Sequence, residues 1–155
     1  MIVLGFITMA TPVDWYDDEH TIIKVTITPT STWEEYHQTV EWIETEATKV
    51  DHLINVIFHD EVGMPKGNPI PHLKKGSEVF FNLPNITTVI IAGSQGVNNA
   101  FTRVILTTAA RMVVATMPSK TEGRQLLFMA SLEEALAYIK QNGSRQDATT
   151  RSGRD

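Results

Sequence analysis

Ile86-Thr87-Thr88-Val89-Ile90-Ile91-Ala92-Gly93 is the stretch that decides the fold. Branched apolar residues fill its second half and Gly93-Ser94-Gln95-Gly96 stops it, so it predicts a strand covered on both faces. Val97–Ala115 follows directly, with Phe101, Val104, Ile105, Thr108 and Met112 at helical spacing on one face and Arg103 and Arg111 left to solvent. A buried strand feeding a one-sided helix is the repeating unit of a parallel sheet.

The same unit recurs on either side. Leu53–Phe58 is a nearly unbroken apolar run that ends at His59-Asp60-Glu61, as expected of a central strand. Gln125–Met129 is the last extended piece. Ser131 and Glu134 then form a capping box, and Leu132, Ala135, Leu136 and Ile139 line a helix that Gly143 ends. Toward the N-terminus, Val13–Tyr16 alternates apolar and polar residues and Asp17–His20 is turn-like. Thr21–Thr28 alternates again, so the two pieces predict an antiparallel hairpin, closed by Pro29. Thr32-Trp33-Glu34-Glu35 is a second capping box, followed by Trp33, Tyr36, Val40, Ile43 and Ala47 on one stripe. The whole pattern predicts an α/β protein: one mixed sheet with an antiparallel first strand, then parallel strands joined by helices.

One segment interrupts the alternation. Val62–Pro71 holds Gly63, Pro65, Gly67, Pro69 and Pro71 and reads as a long irregular loop, a candidate lid or binding loop. Pro71 suits the first turn of a helix over His72–Asn82, with Leu73, Val79 and Phe80 inward and Lys74, Lys75 and Glu78 outward; Gly76 weakens it.

Composition bounds what such a domain does. The 155 residues make one domain, and 42% hydrophobic against 20% charged residues is enough for a core without staples. Zero cysteines exclude a disulfide scaffold, a thiolate metal site and a cysteine nucleophile, and fit a cytoplasmic protein. A net charge of -5 opposes broad nucleic-acid binding, which needs cations against phosphates. Residues 1–12 read as an apolar arm or extra strand, 13–142 as the folded domain, and 143–155 as a disordered polar tail. Ile2–Met9 is too short to span a bilayer, Met9 offers an alternative start, and the arm is suited to adding a strand to a neighbour's sheet in a homodimer.

The order of elements resembles the STAS fold of anti-sigma factor antagonists, and within it the SpoIIAA-like group of small bacterial proteins. The likeness is carried by Trp15-Tyr16 before Thr21-Ile22-Ile23-Lys24-Val25, by Thr32–Tyr36, by His52–Asp60, by Phe81–Ile86 leading into Val89–Gly93, and by Ser131–Ala135. It covers about Val13 to Gln141 and is structural, not catalytic. In the signalling members the resemblance implies a Ser or Thr at the start of the helix after the second long loop. This chain has Asn68-Pro69-Ile70-Pro71-His72-Leu73 there, without a hydroxyl, and Ser77 lies inside the helix, so the usual phosphoswitch is not expected. The resemblance implies a non-enzymatic module acting through protein–protein contact.

Candidate chemistry is sparse. Gly93-Ser94-Gln95-Gly96, between strand and helix, reads either as an anion-binding loop or as a turn with an N-cap. His59 and His72 bracket the Pro-rich loop and have Asp60 and Glu61 for company, which is a set able to bind a metal or move protons, or simply exposed polar ends. None of the five histidines shows metal-ligand spacing, and no serine sits in a nucleophile elbow. We therefore expect no catalytic residue, no metal and no cofactor. The candidate binding residues are His59, Asp60, Pro71, His72, Lys74 and Ser94, facing an unknown protein partner or a small apolar or anionic ligand. The alternative to a protein-binding module is a carrier with an apolar pocket under the 62–71 loop, with Met64, Met112, Met117 and Met129 as adaptable linings.

Overall fold

A computed structural model describes residues 11–93, 100–116 and 124–152. Five strands form one sheet in sequential order: β1 (Val13–Trp15), β2 (Ile22–Ile27), β3 (Ile54–Asp60), β4 (Ile86–Ala92) and β5 (Gln125–Met129). β1 pairs antiparallel with β2 and every other pair is parallel. Among the described residues the helices are α1 (Trp33–Ala47), α2 (Pro69–Phe81), α3 (Ala100–Thr116) and α4 (Leu132–Ser152). This is the expected α/β architecture with a mixed sheet. No helix among the described residues is long and apolar enough to cross a membrane.

Sequential order has a consequence. A parallel crossover is right-handed, and three taken in the same direction leave all three connecting helices on one face. Side-chain packing agrees. Ile23, Val25, Val56 and Phe58 join Val40 and Ile43 of α1 and Phe80 of α2, whereas Ile57 and Ile90 point the other way onto Ala135 and Ile139 of α4. Helix α4, which follows β5 at the edge of the sheet, takes the opposite face.

Local chemistry places each element. Asp17 Oδ1 accepts from the amides of Thr21 and Ile22 at 2.9 and 3.0 Å, which closes the β1–β2 turn; His20, with φ 57°, stacks on Trp15. The Thr32 hydroxyl accepts from Glu35 N at 3.2 Å as the capping box requires. Asn85 donates to the carbonyls of Ala47 and Val50, so the entry to β4 caps the end of α1. Between β3 and β4 the register shifts: Ile54 pairs with Ile86 and Asn55 with Thr88, which skips Thr87.

Several expectations are corrected. The Pro-rich segment is irregular only to Asn68. There Asn68 caps α2 through Ile70 N, and Pro69 and Pro71 occupy the first turn, where a missing N–H costs nothing. Strand β3 runs on to Asp60, and Leu53 is exposed. Helix α4 passes through Gly143 to Ser152, since one glycine costs only about 1 kcal/mol in a helix. On α3 the buried side is Ala109 with Ile105 and Leu106; Val104, Thr108 and Met112 face outward, because α3 packs on α2 and meets the sheet only weakly. Residues 1–10, which hold most of the N-terminal arm, lie outside the described residues, as do Ser94 and Met117.

Candidate functional site: an apolar cavity between sheet and helices

The three-helix face is not filled. A cavity of about 250 Å³ lies between β2–β5 and α1–α3. Its walls are Trp33 and Tyr36 of α1, Leu73 and Phe80 of α2, Leu106 of α3, and Ile27, Phe58, Val89, Ile91 and Leu126 from the strands. Met64 and Pro65 of the loop after β3 lie over one end. The volume is just under the roughly 300–1,000 Å³ of drug-sized pockets, which suits a small or slender guest.

The cavity runs along the strands. Ile86, Thr87 and Gln125 mark the end where β4 and β5 begin, and Ile91, Ile27 and Asp60 the end where strands finish. The six residues from Ile86 to Ile91 span about 16 Å, five steps of ~3.3 Å each. The register skip beside Thr87 accompanies its place in the wall.

The two ends carry opposite polar groups. At the strand-start end Arg124 donates to the carbonyls of Phe80 (2.9 Å), Phe81 (3.2 Å) and Ile86 (2.6 Å). It thereby satisfies carbonyls at the C-terminal end of α2, and burial holds its pKa below the ordinary value. At the strand-finish end Asp60 is only 5% exposed. Its Oδ1 accepts from Val62 N at 3.0 Å and Gly63 N at 2.7 Å, folding the loop back over the cavity. Gly93, at φ 126°, presses on the Asp60 backbone; a Cβ there would sit 2.9 Å from the Asp60 carbonyl carbon.

An aromatic and histidine cluster closes the α1–α2 side. Trp33 stacks on His72 with ring centroids 5.0 Å apart, and His72 Nδ1 lies 2.8 Å from His37 Nε2, one imidazole donating to the other. Burial, then His72 and Lys75, lower the His37 pKa, while Glu41 opposes them. Tyr36 sits edge-on to Trp33, its phenol pKa pushed well up by burial. Gly76 explains its own presence: a Cβ there would lie 2.8 Å from Tyr36 Cζ and closer still to the hydroxyl. A mid-helix glycine that looked like a weakness is the seat of the α1 tyrosine.

The expected site residues do not gather. Asp60 lines the cavity. His59, one residue earlier on the strand, points to the other face and lies 3.3 Å from Glu61 Oε1. His72 is occupied by Trp33 and His37, Pro71 is exposed and Lys74 half-exposed on α2, and Ser94 is outside the described residues. Among the described residues no three His, Asp or Glu side chains converge as metal ligands, so the rim of His59, His72, Asp60 and Glu61 does not form. Of the methionines, Met64 lines the cavity, Met112 faces outward and Met129 packs toward α4. Sequence reasoning missed Arg124, Gly76 and the His37–His72 pair. No family model, curated protein or solved structure matches the chain.

Proposed function

We propose that this chain is a STAS-like, SpoIIAA-like module that works without catalysis, in the cytoplasm, by holding a small apolar ligand between its sheet and helices. The observation that carries this reading is the cavity itself: about 250 Å³ walled almost entirely by apolar side chains, beneath a short loop that Asp60 holds in place. A well-packed interior leaves few voids larger than a water molecule, so a partly open, mostly apolar pocket of this size is a place for an apolar guest. Met64, on the covering loop, is an adaptable lining for such a guest.

The rival is a module that binds a protein through the loop and α2. Its expected contact set is thinned, because Asp60 is buried and His72 is engaged inside the protein. Pro71 and Lys74 keep an outward position.

Native mass spectrometry after gentle purification separates the two. The ligand reading expects a retained small molecule, lost when Leu106→Trp fills the cavity. Protein that arrives empty, and that takes up no apolar probe on addition, contradicts it.

A further inference from the structure

We infer that the His37–His72 pair is a latch that acid opens: with both rings protonated the pair parts, Trp33 loses the ring it leans on, and the cavity gives up its guest. This rests on the small-ligand reading and adds the regulation of that same site.

Trp33 links the pair to the cavity. It lines the cavity and is 8% exposed, yet its Nε1 donor meets no acceptor. No hydrogen bond therefore fixes the indole, and its place depends on the rings around it. His72 stacks on it, with centroids 5.0 Å apart and planes 6° from parallel. Tyr36, itself in the cavity wall, stands edge-on at 5.4 Å. His72 is held in turn by His37, whose Nε2 lies 2.8 Å from His72 Nδ1. Two contacts thus lead from His37 on α1, through His72 on α2, to the wall of the cavity.

Proton count sets the state of the latch. A neutral or singly protonated pair has one N–H to donate and one lone pair to accept across the 2.8 Å gap. A doubly protonated pair has two donors there, no acceptor, and two positive charges. Both histidines are half-buried, so solvent protons reach them in the folded chain. The groups acting on His37 come from both helices. Burial, then His72 and Lys75 of α2, lower its pKa, while Glu41 of α1 opposes them. Tyr36, 5.4 Å away ring to ring, is kept neutral by its own burial. A guest that binds the joined pair and protons that bind the parted one weaken each other.

The test is calorimetric titration of the whole chain with 1-octanol, which carries no titrating group, at pH 7.5 and pH 5 and one ionic strength. Far-UV circular dichroism checks that the fold is present at both. The inference expects 1-octanol to bind at least about threefold more weakly at pH 5, the size of a modest population shift. In His37→Gln, whose amide can hold His72 without titrating, the two affinities are expected to agree. His72→Phe, which keeps a ring on Trp33, is expected to flatten the profile as well, so either variant decides if the other folds poorly. Equal affinity of the unaltered chain at the two pH values, or the same loss in the variants, overturns the inference and leaves the small-ligand reading standing. No binding at pH 7.5 overturns both.

Discussion

The two faces of the sheet are built on different terms. One carries α1, α2 and α3, imposed there by three crossovers of the same hand, and keeps a cavity; the other carries, among the described residues, α4 alone and packs Ile57, Ile90 and Ala92 directly onto Ala135 and Ile139. The contrast teaches that more cover does not mean tighter packing. A connecting helix must reach between fixed strand ends, so α3 settles on α2 and stands away from β4 and β5. Helix α4 beds down directly on the sheet through Ala135 and Ile139.

Substitutions that compare the faces break or sharpen this picture. Ile90, fully buried under α4, leaves a new void when cut to alanine, and Ile90→Ala is expected to cost about 3–4 kcal/mol in urea unfolding. Leu106 already borders open space, so Leu106→Ala is expected to cost no more than about 2 kcal/mol. Equal losses at the two positions would show the faces to be packed alike.

Gly76→Ala comes next. An alanine in an ordinary helix interior gains about 1 kcal/mol over glycine, but here its Cβ meets the Tyr36 ring, and a net loss of about 2 kcal/mol is expected. Thermal melts of Gly76→Ala check this. Stabilisation instead would mean that α1 and α2 are not held together through Tyr36.

The smallest effect is one of pH. The His37 pKa is lowered in the folded state, by burial first and then by His72 and Lys75, so the unfolded chain binds its proton more readily. The stabilisation is fully present above the unfolded value of about 6.5 and declines as pH falls through it. Two protonated imidazoles also cannot share the hydrogen bond that joins α1 to α2. Urea midpoints are expected to hold from pH 8 to 7 and drop toward pH 5, with a shallower drop in His37→Gln. An identical profile in His37→Gln would remove His37 from the account.

Much of the fold was legible because strands and helices announce themselves by period. The apolar runs at Leu53–Phe58 and Ile86–Ala92, the capping boxes at Thr32 and Ser131, and the turn at Asp17–His20 each point to a local structure from adjacent residues, though Leu53 itself stays outside its strand. Asp60 was legible for a related reason, as an acid ending a buried strand, where open sheets place ligands. The cavity was not. Its walls, Trp33, Leu73, Leu106 and Leu126, are ordinary core residues far apart in the chain, and a void between them leaves no mark in any one segment. The outward turn of Val104 and Met112 escaped for the same reason, since periodicity names an apolar stripe without naming its neighbour. His37 and His72 stand 35 residues apart with no motif between them.

Methyl NMR during titration with 1-octanol tests the central claim most directly, because the probe reads both faces at once. Saturable shifts are expected at Leu73, Val89, Ile91, Leu106 and Leu126, while Ile57 and Ile90 stay in place. Shifts spread evenly over both sets, or none that saturate, would contradict a ligand cavity on the three-helix face.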